Sequence, residues 1–373
     1  MNTDRAVLAT MIFAVLFGQV ALYPGVPELV AALGATTTLD AATWFLTAEY
    51  AGFVLFAGVW GALSDATGRR VPLIVAGTFG GVASYAALIG LAEVAGIGFG
   101  AMLLVRFVEG SFTIAAFSLS ITMLMDLEGG HGRNMGAAGI AIGSGTALGA
   151  PLGGQFSAVG PLVPIAVAAG LLCVVALLAT RVTDRVPESR RGGVGAAIAG
   201  LADRPALGLP YAFGFADRFT AGFFALVGTL YFRETFELDA GAAGLVLGLF
   251  FARSMLYGGA ILAVYYAGTV EVAAATMVLL GLAGALVAPA TMALVTDLAP
   301  DDRGTAMGGF NVFGSLGFLV GTVGGGVIAD TVGFGAAFLA AAALEAGIVL
   351  VALPVLVRLD LPRTTLLGDR ESA

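Results

Sequence analysis

Long apolar runs are the feature that most constrains how this chain folds. About 20 apolar residues form a helix that crosses the hydrocarbon core of a bilayer, and here such runs follow one another with short polar turns between them. Eleven of them are predicted to be membrane spans: 6–30, 42–63, 72–92, 98–125, 134–156, 160–180, 206–232, 241–267, 272–296, 304–329 and 333–357. The pattern therefore predicts an all-α membrane protein.

The charge composition excludes several other classes of protein. Only 11% of the 373 residues are charged and 59% are hydrophobic, whereas soluble domains carry about 25% charged residues. A water-soluble enzyme is therefore excluded, and the net charge of -8 excludes a basic nucleic-acid binder. A lone histidine, His131, cannot build a metal site, and a chain without lysine cannot form a phosphate-binding P-loop. No metal and no cofactor is expected.

A polar stretch in the middle of the chain divides it into two parts. The predicted division is a six-helix bundle over 1–180, a cytoplasmic linker over 181–205 and a second bundle of about five helices over 206–373. Gly143-Ser144 recurs 171 residues later as Gly314-Ser315, which suggests an internal repeat of the kind found in two-bundle transporters. Compared along this repeat, the second half is about 29 residues shorter, so it lacks roughly one span.

The placement of the arginines predicts the orientation in the membrane. Cytoplasmic loops hold an excess of positive charge. With the N-terminus in the cytoplasm, thirteen arginines fall in cytoplasmic segments and only Arg233 falls in an outer loop. The side of the membrane on which the C-terminus lies has two alternatives. A single crossing by 241–267 would invert the last three spans, whereas a re-entrant hairpin that turns near Arg253 would keep the C-terminus inside.

The segment GALSDATGRRVPL, between the second and third spans, carries the most specific motif. It resembles the signature G-x-L-[AS]-D-x-x-G-R-[RK] of the major facilitator superfamily and departs from the common pattern at Ala66. The resemblance implies a two-bundle fold and a cytoplasmic gate, and it implies that an acidic residue at the end of the fourth span pairs with the motif. The gate residues so implied are Gly61, Asp65, Gly68, Arg69, Arg70 and Asp126.

Two weaker matches stand in the fourth and fifth spans. Arg106-Phe-Val-Glu109-Gly110 resembles the R-x-x-[QE]-G motif, whose arginine the family implicates in proton coupling. The i, i+3 spacing places Arg106 and Glu109 on one helix face, where they can pair. The fifth span resembles the glycine-proline motif of proton-coupled antiporters, although Ala150 separates the glycine from the proline. The helix-packing residues of that motif are Gly145, Gly149, Pro151, Gly153 and Gly154.

Further polar side chains within apolar runs are candidates for the pathway of protons or solute, because charges inside a membrane are costly. They are Glu49, Asp217, Arg218 and Asn311, which join Arg106 and Glu109. Glu28 is expected to be interfacial, and Glu345 is expected to form a structural hydrogen bond.

These features together predict a secondary active transporter, with no enzymatic activity, that moves a small solute across the cytoplasmic membrane by alternating access. The antiporter-like fifth span favours proton-coupled efflux, with protons, the solute and the lipid bilayer as partners and a monomer as the working unit. Two alternatives are uptake of a metabolite by a permease of the same superfamily, and an inactive membrane protein with an internal deletion.

Overall fold

The computed structural model is all-helical over the residues that it describes. These are residues 3–37, 39–94, 97–128, 131–184, 204–243, 263–278 and 303–358, with 246, 261, 291, 294–295 and 298–299. The predicted all-α class is confirmed, because every regular element in these ranges is a helix.

The first half contains seven helices among its described residues. They are α1 (Thr3–Val20), α2 (Val26–Ala32), α3 (Leu39–Thr67), α4 (Val71–Ala92), α5 (Phe99–Met125), α6 (His131–Val159) and α7 (Val163–Ala179). By length and apolar composition, α1, α3, α4 and α5 each hold a stretch that could cross a membrane, and α7 is a shorter apolar helix. Their order follows the predicted spans.

The first predicted span, 6–30, is not one continuous helix. α1 ends at Val20, and the chain turns through Tyr23 and Gly25 before α2 begins. Pro24 and Pro27 lack an amide hydrogen and disfavour an uninterrupted helix. A side chain at Gly25 would collide with Ser157 of α6, so the turn needs a glycine where it meets that helix.

The second half begins with a helical segment that matches the span predicted over 206–232. A 3-10 turn (Pro205–Leu207) leads into α8 (Gly208–Phe223), a π-helical turn (Phe224–Gly228) and α9 (Thr229–Thr235), and the last helices among the described residues are α10 (Arg303–Thr331) and α11 (Phe334–Arg358). α10 contains a further stretch that could cross a membrane. The spans predicted at 241–267 and 272–296 lie largely outside the described residues, as does Arg253, so the missing span stays a prediction.

The helices pack as two bundles. α1 packs on α5, α6 and α7, while α5 also packs on α3 and α4. In the second bundle, α10 packs on α8 and α11. α3 and α10 lie against each other and join the bundles. We call the end that holds Arg5, Arg69 and Arg70 the arginine end, and the other the opposite end.

Glycines set the closest helix contacts in both bundles. On α6, a Cβ added at Gly145 or Gly149 would lie 2.8 Å from the carbonyl oxygen of Phe13 or Phe17 on α1, and Gly153 meets Ala21, just after the end of α1. Gly317 and Gly321 of α10 meet the α8 backbone in the same way. Small residues at this spacing let helices in a bilayer approach backbone to backbone, so both bundles are built on the same device.

Candidate transport site

A buried triad of charged side chains lies inside the first bundle. Arg106 of α5 pairs through Nη1 with Oε2 of Glu109 at 2.7 Å and through Nη2 with Oε2 of Glu49 on α3. All three side chains are fully buried. One guanidinium therefore faces two carboxylates, and with both ionised the triad carries a formal charge of -1.

The surroundings of the triad hold it in place but leave polar atoms unused. Arg106 also donates to the Tyr85 hydroxyl at 3.3 Å, and its guanidinium lies 4.7 Å from the centre of the Phe45 ring. Thr113 donates to Oε1 of Glu109 at 2.6 Å. Oε1 of Glu49 and Nε of Arg106 have no hydrogen-bond partner among the described residues. The unpartnered Glu49 oxygen is a place where a proton can reside.

A close crossing of α3 and α5 brings Glu49 to Arg106. A Cβ added at Gly110, next to Glu109, would lie 3.0 Å from the Cα of Glu49, and one added at Gly52 would lie 2.7 Å from the amide nitrogen of Ser111. Only glycines allow the two backbones to approach this closely. The final glycine of the R-x-x-E-G motif thus gives Glu49 access to the arginine of the same motif.

Tyr50, next to Glu49, links the first bundle to the second. Its hydroxyl accepts a hydrogen bond from Nε2 of Gln19 at 2.8 Å and lies 2.9 Å from the hydroxyl of Tyr23. Its ring stacks on Phe318 of α10, with 3.7 Å between ring centres and 11° between ring planes. Tyr50 and Phe318 are not among the residues predicted from the sequence, because an aromatic residue in an apolar run gives no signal of its partner.

The other predicted pathway residues lie on the second bundle. Asp217 and Arg218 of α8 form an ion pair with each other, with 3.9 Å between Oδ2 and Nε. The Arg218 side chain, 26% exposed, packs beside Gly314. Asn311 lies half-buried on α10, and the triad's hydrogen bonds do not include it. These residues therefore do not join the buried triad.

Glu345, on α11, is buried and accepts a hydrogen bond from the hydroxyl of Thr220 on α8. The contact joins two helices of the second bundle and is a structural hydrogen bond of the kind expected for Glu345.

Among the described residues, no group of three His, Cys, Asp or Glu side chains could hold a metal ion.

The gate motif forms an ion pair at the arginine end. Nη1 of the buried Arg70 lies 2.5 Å from Oδ2 of Asp126, at the end of α5. Arg69 is exposed, and the side chain of Asp65 lies outside the described part of the structure. Gly68 has a φ of +63°, a left-handed conformation that favours glycine in the turn. Gly61 has open space beside it.

Asp184, which follows α7, completes this cluster and was missed by the sequence analysis. Its carboxylate accepts hydrogen bonds from the backbone amides of Arg70, at 3.0 and 3.1 Å, and Val71, at 3.2 Å. It thereby caps the N-terminus of α4, where free amides and the helix dipole favour an anion. No motif contains Asp184, because it acts across 114 positions of the sequence.

At the opposite end an ion pair joins the two bundles. Arg233 of α9 binds both carboxylate oxygens of Glu28 on α2, with 2.5 Å from Nη1 to Oε2, and also donates to the carbonyl of Pro24. Gly326 of α10 packs against Thr43 of α3 nearby, 2.8 Å separating an added Cβ from the hydroxyl. The one arginine predicted for an outer loop thus has a partner in the other bundle.

Comparison with known proteins gives matches over nearly the whole chain. The model of the Major Facilitator Superfamily matches residues 8–269 and 253–372. The crystal structure of the human organic anion transporter MFSD10 (TETRAN) matches at 17% identity with a TM-score of 0.70, covering 94% of this chain and 100% of that one.

A bacterial homologue of the human lysosomal transporter Spinster, in an inward-facing and unoccupied conformation, matches at 14% identity with a TM-score of 0.65 and 96% coverage of both chains. At these identities the likeness is one of fold. No curated protein sequence matches the chain at a significant level.

Proposed function

The chain is a member of the Major Facilitator Superfamily, a transporter and not an enzyme, and on that premise we propose that it exports a small solute in exchange for protons. Its apolar helices place it in a membrane as a multi-pass protein. The proposal locates it in the cytoplasmic membrane as a monomer, with the N-terminus and the arginine end in the cytoplasm. It also keeps the division into bundles 1–180 and 206–373, joined by the linker 181–205.

The observation that carries the proposal is the unbalanced charge of the triad. A buried anion without a cation is costly in an apolar medium, and Arg106 neutralises only one of the two carboxylates that it touches. A proton on Glu49 or Glu109 makes the site neutral. The triad therefore has two states, and a cycle that binds and releases this proton uses the proton gradient.

The contacts between the bundles support alternating access. Those described above lie at the centre, where Tyr50 meets Phe318, and at the opposite end, where Glu28 meets Arg233. A conformation closed at that end exposes its solute pathway toward the arginine end.

The direction of transport is proposed from α6. Its glycines pack along α1, Gly154 packs on the backbone of Ala240 in the second half, and Pro151 lies inside the helix. A helix that contacts both halves in this way suits the antiporter motif that the fifth span resembles. The few charges in the apolar runs suit an amphipathic or apolar solute.

The test is transport by the purified protein in liposomes with an imposed proton gradient and a panel of radiolabelled amphipathic solutes. We expect accumulation against the solute gradient that collapses when a protonophore is added. Glu49→Gln should abolish proton-driven accumulation, whereas Glu93→Gln, at the exposed end of α4, should leave it unchanged. Solute accumulation that is unchanged both by the protonophore and by Glu49→Gln would refute proton coupling.

A further inference from the structure

We propose that the stack of Phe318 on Tyr50 is the contact through which the protonation state of the triad changes the position of the two bundles. Phe318 is thus a positioning residue for coupling, in a bundle that does not contain the triad. The inference rests on the proposed proton coupling and adds to it the physical link from the site to the moving parts.

α3 carries both ends of the link. Glu49 and Tyr50 are consecutive, so their side chains leave the helix about 100° apart. One faces Arg106 on α5, and the other faces Phe318 on α10. A rotation or shift of α3 that follows a change in the Glu49–Arg106 pair must therefore move the ring that touches the second bundle.

Tyr50 is held firmly enough to transmit such a shift. Its hydroxyl is fixed by Gln19 and Tyr23, and the residue is 6% exposed. Phe318 is 4% exposed and also contacts the ring of Tyr23 at 6.2 Å between ring centres. Packed aromatic contacts have discrete arrangements, so a movement of Tyr50 displaces Phe318 or breaks the stack.

Charged, titratable and polar groups surround this link on α1, α4, α5 and α8. Those that face Glu49 or act on Tyr50 are Arg106 and Glu109 of α5, Tyr85 of α4, Gln19 and Tyr23 on the α1 side, and Arg218 of α8. Arg218 is the only one of them on the second bundle, and Glu49 is the member whose second oxygen lacks a hydrogen-bond partner among the described residues. Glu49→Gln is therefore the substitution that imitates the protonated site.

The test measures closure of the opposite end at one fixed pH. Thr43→Cys and Gly326→Cys are introduced in a Cys173→Ala background, because an added Cβ at position 326 touches Thr43 and this approach suits a disulfide. The rate of disulfide formation in proteoliposomes reports how often this end is closed. We expect Glu49→Gln to change that rate several-fold, and we expect the change to vanish in a Phe318→Ala background.

Three further variants sharpen the result. Phe318→Tyr keeps a ring and should restore the effect of Glu49→Gln, whereas Phe318→Leu keeps bulk without a ring and should abolish it, which decides the question if Phe318→Ala does not fold. Phe313→Ala, on the same helix, removes a ring that stacks on Tyr211 within the second bundle and should leave the effect intact.

The outcomes separate the two proposals. A several-fold effect of Glu49→Gln that survives both Phe318→Ala and Phe318→Leu overturns the coupling role of Phe318 and leaves proton coupling standing. If Glu49→Gln has no effect in the parent background, the triad does not control the bundles, and the proposed proton coupling fails together with the link.

Discussion

Replacing Gly110 by alanine perturbs the triad without changing any charge. An added Cβ would lie 3.0 Å from both Cα and C of Glu49 and closer still to its carbonyl oxygen. That oxygen would lie well inside ordinary contact, which begins near 3.4 Å, so α3 must move away by about 1 Å, and overpacking of this kind costs about 1–3 kcal/mol. Because all the strain falls at Glu49, we expect its pairing with Arg106 to weaken and proton-driven transport to fall at least tenfold.

The matched control is Gly100→Ala on the same helix, where an added Cβ has open space. The assay combines proton-driven solute uptake in liposomes with the thermal unfolding midpoint of the detergent-solubilised protein. We expect a lower midpoint and lost transport for Gly110→Ala, and wild-type behaviour for Gly100→Ala. Wild-type transport and an unchanged midpoint for Gly110→Ala would refute the reasoning that close backbone approach sets the geometry of the triad.

Two further predictions concern the two ends of the bundles. The charge reversal Arg233→Glu should slow disulfide formation between cysteines introduced at 43 and 326 by about 2–5-fold, as expected for a partly exposed ion pair worth about 0.5–1 kcal/mol. Adding Glu28→Arg should restore the rate, and a double variant as slow as the single one would contradict the pairing. Asp184→Ala should destabilise the protein by about 1 kcal/mol through loss of the α4 cap. Asp184→Asn still accepts a hydrogen bond, so its loss of unfolding free energy, measured by chemical denaturation, should be smaller. Equal losses for the two variants would contradict capping.

The fold could be predicted from the sequence to a large extent, because a bilayer permits few ways to satisfy a backbone. The apolar runs located the helices of the first half closely. The main difference between the predicted and observed helices there is the break after α1. Apolar character alone does not show that the chain turns at Gly25, where it packs against Ser157. The question of the missing span stays a prediction, because 244–260 lies almost wholly outside the described residues.

The site could be predicted only where its partners are close in sequence or belong to a motif. The i, i+3 spacing predicted that Arg106 pairs with Glu109, and the motif resemblance placed Asp126 beside the gate. Glu49 was selected only as a buried charge, since its partner is 57 positions away. The contacts of Asp184 and Arg233 depend on tertiary packing alone, and no local pattern records them.

The two bundles share one packing device but differ in their charges. Glycines bring α6 to α1 and α10 to α8 in the same way, so each half contains a closely packed helix pair. The triad of two carboxylates and one arginine lies in the first bundle, while Asp217 and Arg218 in the second are balanced one to one. A proton makes the first arrangement neutral, whereas it would leave the second with a net charge of +1. If the halves move as rigid bodies, the change must cross to the second bundle where α3 meets α10, and the aromatic stack at that crossing is the contact on which we propose that coupling depends.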